Sequence, residues 1–164
     1  MKLTINKEYF RRHLFVTLLM AGLGAWFGYD GFVRYPATSA DALYRSIEKS
    51  APPAEMNLEA FKRQKIQTQY GFTLISFIVA LIVGLRLKRS SAFRFEYDLE
   101  KGAFTANGKN YTRSDIAKID QSQWESKRIL RLTLKDGTSV QLDAWHHLGV
   151  KEFAQDFLAL APTK

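Results

Sequence analysis

The stretch that decides the fold is "GFTLISFIVALIVGLRLKRSSAFRFEYD", residues 71–98. It changes character within a few positions. Gly71 to Leu85 is an uninterrupted apolar run, extended by Leu87 and closed by Arg86, Lys88 and Arg89. From Phe93 the pattern alternates strictly: Phe93, Phe95 and Tyr97 on one face, Arg94, Glu96 and Asp98 on the other. The first half reads as a helix for an apolar medium and the second as a half-buried strand. Only Ser90, Ser91 and Ala92 lie between them.

Upstream stands a second apolar run, "LFVTLLMAGLGAWFGYDGFV", Leu14 to Val33, whose first 16 residues carry no charge. About 20 helical residues at about 1.5 Å each cross a hydrocarbon core of about 30 Å. This run meets that length, and the later one does so with Tyr70 and the stem of Arg86. Both are expected to be transmembrane helices, over 14–34 and 70–88. A buried core helix is the competing reading for the second run. A cleaved leader is the competing reading for the first, but the small-residue stretch "TSADA" lies well past it, beyond Arg34 and Pro36.

Charge sets the expected orientation. Residues 1–91 hold thirteen Lys/Arg against six Asp/Glu, and residues 92–164 eleven against ten. The formal net charge of +8 therefore sits with the apolar runs, which suits a membrane protein and argues against a nucleic-acid face. Lys7, Arg11 and Arg12 precede the first span, and Arg86, Lys88 and Arg89 follow the second, so both termini are expected in the cytoplasm of an inner (plasma) membrane. These six form a membrane-surface basic set, suited to anionic lipid headgroups. Tyr29, Tyr35 and Tyr70 would mark the outer interface, with Asp30 and Arg34 paired four apart.

Both spans carry small residues on one face: Ala21, Gly24, Gly28 and Gly31 in the first, and Thr73, Ser76, Ala80 and Gly84 in the second. Such stripes let helix backbones approach closely. They fit an intramolecular antiparallel hairpin, or docking of one stripe on a helix of another membrane-complex subunit. Residues 35–69 read as an extracytoplasmic helical segment. Thr38 and Asp41 suggest a capping box, Ala40, Leu43, Tyr44 and Ile47 one helical face, Pro52-Pro53 a break, and Asn57 a cap for a helix running into the second span.

Residues 92–161 read as a compact antiparallel domain. Asn107-Gly108 is a two-residue turn pairing Phe104 with Tyr111. Ile116 and Ile119 enter a strand expected to end near Trp124. A three-residue Lys135-Asp136-Gly137 loop, with Gly137 left-handed, pairs Leu132 with Val140 and Leu130 with Leu142. The same register places Lys127 opposite Trp145 and Arg131 opposite Gln141. Val150, Phe153, Ala154, Phe157 and Leu158 then fall at helical spacing up to Pro162.

These residues, "FRFEYD", "FTANGKNY", "IAKID", "RILRLTLKDGTSVQLD" and the helix Val150 to Leu160, resemble the pleckstrin-homology-like (PH-like) domains that follow membrane helices in bacterial proteins. The resemblance covers about residues 92–161 and implies an antiparallel sheet or half-barrel capped by a helix. It also implies a binding or assembly module without catalysis. Phosphoinositide-binding members cluster basic residues on the first hairpin. Here Arg94, Lys101 and Lys109 alternate with Glu96, Asp98 and Glu100.

The candidate contact face on the second hairpin is Lys127, Arg131, Lys135 and Trp145, against an anionic headgroup or acidic partner, with Lys127 resting on Trp145. A solvated mixed-charge wall is the plainer reading, and Trp124 and Trp145 are then fold anchors. There is no cysteine. His146 and His147, being adjacent, make a poor chelate, so neither a metal nor a cofactor is expected. No catalytic triad, phosphate loop or carboxylate pair stands out. The expected whole is a two-span, non-catalytic accessory subunit of a larger membrane complex. The alternative is a stand-alone adaptor or sensor binding headgroups or a cytosolic partner.

Overall fold

The computed structural model describes residues 1–159. Its packing divides the chain into two compact units, one built from residues 13–86 and the other from residues 1–12 together with 87 onward.

In the helical unit, α1 (Lys7–Tyr29) passes through one π-helical turn, Asp30–Arg34, into α2 (Tyr35–Ala37), an unbroken rod of 31 residues. Next come α3 (Ala40–Glu48) and α4 (Leu58–Ala92), the latter 35 residues long. Both long helices are apolar and long enough to cross a membrane, and only 17% of each apolar window is buried. A core helix of a water-soluble protein would hide such a face. Here Phe15, Leu18, Trp26, Leu74, Ile75 and Leu81 all stay exposed.

The sequence places the caps of the short helix one residue off. Ser39, not Thr38, caps α3, accepting a bond from the Ala42 N–H at 3.4 Å. Thr38 instead donates its hydroxyl to the Arg34 carbonyl, and Asp41 pairs with Arg45 at 2.9 Å. Lys49 in the left-handed region ends α3 before the prolines are reached. Leu43 and Tyr44 are buried, and the Tyr44 ring lies 5.0 Å from that of Phe61. Asn57 caps α4 through Ala60, and the helix then runs on past the expected limit at 88 to Ala92.

The second unit is strand-rich. β2 (Phe95–Asp98), β3 (Ala103–Ala106) and β4 (Lys109–Thr112) form one antiparallel meander; β5 (Ile116–Asp120), β6 (Ile129–Leu134) and β7 (Ser139–Asp143) form another. Asn107 and Gly108 both have positive φ, as a type I′ turn needs, and Phe104 pairs with Tyr111. Gly137 is left-handed (φ 82°), and Leu132 pairs with Val140 and Leu130 with Leu142.

The second hairpin departs from expectation at its base. β5 ends at Asp120, and Trp124–Lys127 is a short helix, α5, closed by Arg128 in the left-handed region. Lys127 therefore lies on no strand and does not face Trp145. After β8 (His147–Leu148) the chain forms α6 (Val150–Glu152) and a π-helical turn, Phe153–Phe157. The expected end of that helix at Leu160 and Pro162 lies outside the described residues. Phe153 stands edge-on to Phe95 (4.9 Å) and Tyr97 (5.1 Å), which fastens this segment to the first sheet.

The start of the chain belongs to this unit. The sequence treats residues 1–13 as a basic tail, whereas Thr4–Ile5 form a strand, β1, antiparallel to β8. Leu3 is 4% exposed and its N–H donates to the Phe95 carbonyl at 2.9 Å, while the Tyr97 N–H donates to the Met1 carbonyl at 2.7 Å.

Candidate functional site

Three regions bear on function: the face between the long helices, the basic face of the second hairpin, and the turn that receives the N-terminal strand.

The two small-residue stripes meet each other. A Cβ added to Gly24 would lie 3.2 Å from the Phe77 ring, and one added to Gly31 would lie 3.0 Å from the Gln69 Cβ. At Gly28 the neighbour is the Thr73 methyl at 3.6 Å, and at Gly84 the Thr17 methyl at 3.5 Å. Residue numbers climb on one helix as they fall on the other, so the pair is antiparallel. Thr73 donates its hydroxyl to the Gln69 carbonyl and Thr17 to that of His13, each at 2.8 Å. Satisfying each hydroxyl within its own helix leaves the methyl to pack on glycine. Ser76 and Ala80 are buried and Ala21 half-buried.

At the far end Asp30 is buried and bonded to Arg34 at 3.3 Å. Of the three interface tyrosines, Tyr35 is buried, and its hydroxyl accepts from Gln69 at 3.3 Å, so only Tyr29 and Tyr70 face outward.

The second hairpin does not gather its cations. Lys127, Arg131 and Lys135 are all exposed, but on a helical turn, mid-strand and at a loop. Arg131 bonds Gln141 at 3.3 Å and lies opposite Asp120; the Lys135 N–H donates to the Asp115 carbonyl. Trp145 is 64% exposed, so it is no fold anchor; Trp124, at 4%, is one.

The acids around this face are turn-formers. The Asp115 carboxyl is held below its usual value by the Thr112 backbone N–H first and the Thr112 hydroxyl second. Asp120 is lowered by the Ser122 N–H, Asp136 by the Thr138 N–H and Asp98 by the Lys101 N–H. Burial pushes the Tyr97 hydroxyl up, with Asp156 and Glu152 adding to it. No group of three or more metal-ligating side chains occurs among the described residues.

The third region was not foreseen. Asn6 accepts from the Glu8 and Tyr9 N–H groups at 3.0 and 3.5 Å, capping α1. Its side-chain amide donates to the Trp145 carbonyl (3.2 Å) and its backbone N–H to that of His146 (2.8 Å). The Tyr9 and His146 rings lie 4.2 Å apart. His147 is buried, its Nε2 3.0 Å from the Ser90 carbonyl in the last turn of α4. The four residues 145–148, the end of a turn and β8, thus hold the first turn of one long helix and the last turn of the other. A polar residue before a charged helix start was the available signal, since Asn6 is a good cap.

Comparison with protein-family models, with curated proteins and with solved structures finds no match for this chain.

Proposed function

We propose that this chain is an integral membrane protein whose two long helices cross the inner membrane as a hairpin. The strand-rich unit, PH-like in character, stands in the cytoplasm. It acts as a non-catalytic accessory or assembly subunit of a larger membrane complex. The observation that carries the reading is the use of surface on the helices. Their small residues are spent on each other, while large side chains such as Trp26, Leu74 and Leu81 point away from the protein. Such a surface is stable only against lipid tails or another membrane helix.

Chain connectivity supports an even number of crossings. Residues 1–12 and the chain from 87 onward form one compact unit, so the stretch between them must leave and return to the same side. The exposed Lys7, Arg11, Arg12, Arg86, Lys88 and Arg89 favour the cytoplasm for that side. Because the stripes face inward, a partner subunit would meet the outer helix faces, the strand-rich unit, or both.

The alternative, an adaptor or sensor reading headgroups through Lys127, Arg131 and Lys135, has less behind it. Those cations are dispersed, and Asp115 and Asp120 stand among them. Native purification in mild detergent with identification of co-eluting proteins tests the proposal. A defined set of membrane partners is the expected result; free monomer alone would count against the accessory role.

A further inference from the structure

We infer that the segment Trp145–Leu148, the turn into β8 and β8 itself, is a membrane-surface anchor, seating Trp145 and Leu148 in the headgroup layer of an anionic leaflet that Lys7 and Arg11 also meet. The inference rests on α1 being a span.

The turn is built to present these two side chains. Asp143 accepts from the Trp145 N–H at 2.8 Å and its carbonyl from His146 at 3.1 Å. The Ala144 N–H donates to Arg128, and the Trp145 and His146 carbonyls are both taken by Asn6. His146 stacks on Tyr9, and His147 turns in towards Ser90 and Phe93. The inward positions are occupied, yet Trp145 remains 64% and Leu148 53% exposed. An exposed indole and an exposed leucine on a backbone-bonded segment are side chains that a headgroup layer takes up.

Charge and depth identify the cover. Leu148 shares one surface hollow with Asn6, Lys7, Glu8, Arg11 and Arg12. Glu8 is paired with Arg12, while Lys7 and Arg11 stay exposed. Cations beside an apolar side chain match a headgroup layer carrying phosphates, and an exposed indole such as Trp145, three residues away in the chain, is the kind of ring that collects there. Arg11 stands three residues before Leu14, where the uncharged run begins, a rise of about 4.5 Å. The headgroup layer is about 5–7 Å deep on each side of the hydrocarbon core. Arg11 falls inside that layer once Leu14 is at the hydrocarbon boundary, and Leu148 lines the same hollow as Arg11.

The chain has no cysteine, so single-cysteine labelling needs no background removal. Nitroxides would be attached to Trp145→Cys, Leu148→Cys, Gln121→Cys and Leu19→Cys in the full chain. Each is reconstituted in vesicles of equimolar phosphatidylcholine and phosphatidylglycerol, and in phosphatidylcholine alone. Collision with a water-soluble nickel chelate and with oxygen then reads depth. The expected result is severalfold lower nickel access at 145 and 148 than at 121, with the greater protection in the anionic vesicles. Leu19→Cys should be immersed in both. If Leu19→Cys is immersed while 145 and 148 match 121, the anchor is overturned and the spans stand. If Leu19→Cys is itself open to nickel, the membrane reading falls and the anchor with it. Equal protection in both lipids would overturn the part given to Lys7 and Arg11. No other protein is present, so protection cannot come from a partner. Both positions are exposed, and each serves as the folding control for the other.

Discussion

Replacing Leu3 by Ala tests whether the first residues of the chain belong to the strand-rich unit. Leu3 is 4% exposed and joins the core of Phe95, Tyr97, Phe104 and Phe153. Its Cδ2 would lie 2.9 Å from a Cβ built on Gly149, so it packs directly on the start of α6. Truncating a buried leucine costs its transfer free energy plus the cavity left behind, about 2–5 kcal/mol together. That is a large share of a domain stability of about 5–15 kcal/mol. With a urea slope of about 1–3 kcal/mol per molar, the midpoint should fall by roughly 0.7–5 M. The assay is urea unfolding of the full chain in mild detergent, in a Trp26→Phe, Trp145→Phe background, so that buried Trp124 reports on the strand-rich unit. Thr4→Ala, at an exposed neighbour on the same strand, should shift stability by no more than about 0.5 kcal/mol. If Leu3→Ala behaved like Thr4→Ala, the reasoning that makes residues 1–5 part of this core would be refuted.

Gly149→Ala forces a Cβ at φ 92° and against Leu3, and should cost about 1–3 kcal/mol in the same titration; combined with Leu3→Ala the loss should be less than additive, because the clashing methyl is gone. Gly31→Leu should open the helix pair, seen as loss of disulfide formation between Thr17→Cys and Gly84→Cys, which is expected to be efficient in the parent. Asp98, Asp115, Asp120 and Asp136 all have lowered carboxyl values, so the native state binds fewer protons than the unfolded chain. Their contribution is complete above the ordinary value of 3.8 and is lost as pH falls through the lowered values, so the unit should weaken on acidification below that point, and Asp115→Asn should flatten the slope.

Local patterns were legible and non-local ones were not. The alternation around Phe95 marks a half-buried strand, and the Asn107-Gly108 turn and the three-residue Lys135-Asp136-Gly137 loop each fix a register within a few residues that the structure shows. The glycine and alanine stripes left two readings open, pairing with each other or with a partner's helix, because residue spacing alone does not choose between them. β1 escaped notice because it is two residues long and pairs across most of the chain, leaving no periodicity to detect. α5 was masked because Trp124–Lys127 adjoins a true strand and only Arg128, a non-glycine in the left-handed region, ends it. For Trp145 the sequence offers a contact face opposite Lys127 or a fold anchor; it is exposed, while Asn6 and Asp143 bond the backbone beside it. The Thr38–Asp41 box failed because Ser39, a better cap than Thr, stands one position on and takes the role.

The pairing of Thr4 with Leu148 has a consequence for synthesis. The first strand is made first and its partner almost last, about 140 residues later, which at a ribosomal pace of about 5–20 residues per second means a wait of roughly 7–30 s. Throughout that interval Leu3 has no complete core to enter, and both long helices have already been made before it finds one. Closure of the strand-rich unit therefore waits on the whole intervening chain: the core around Leu3 is completed only after the residues that pair with it at 147–148 have been made.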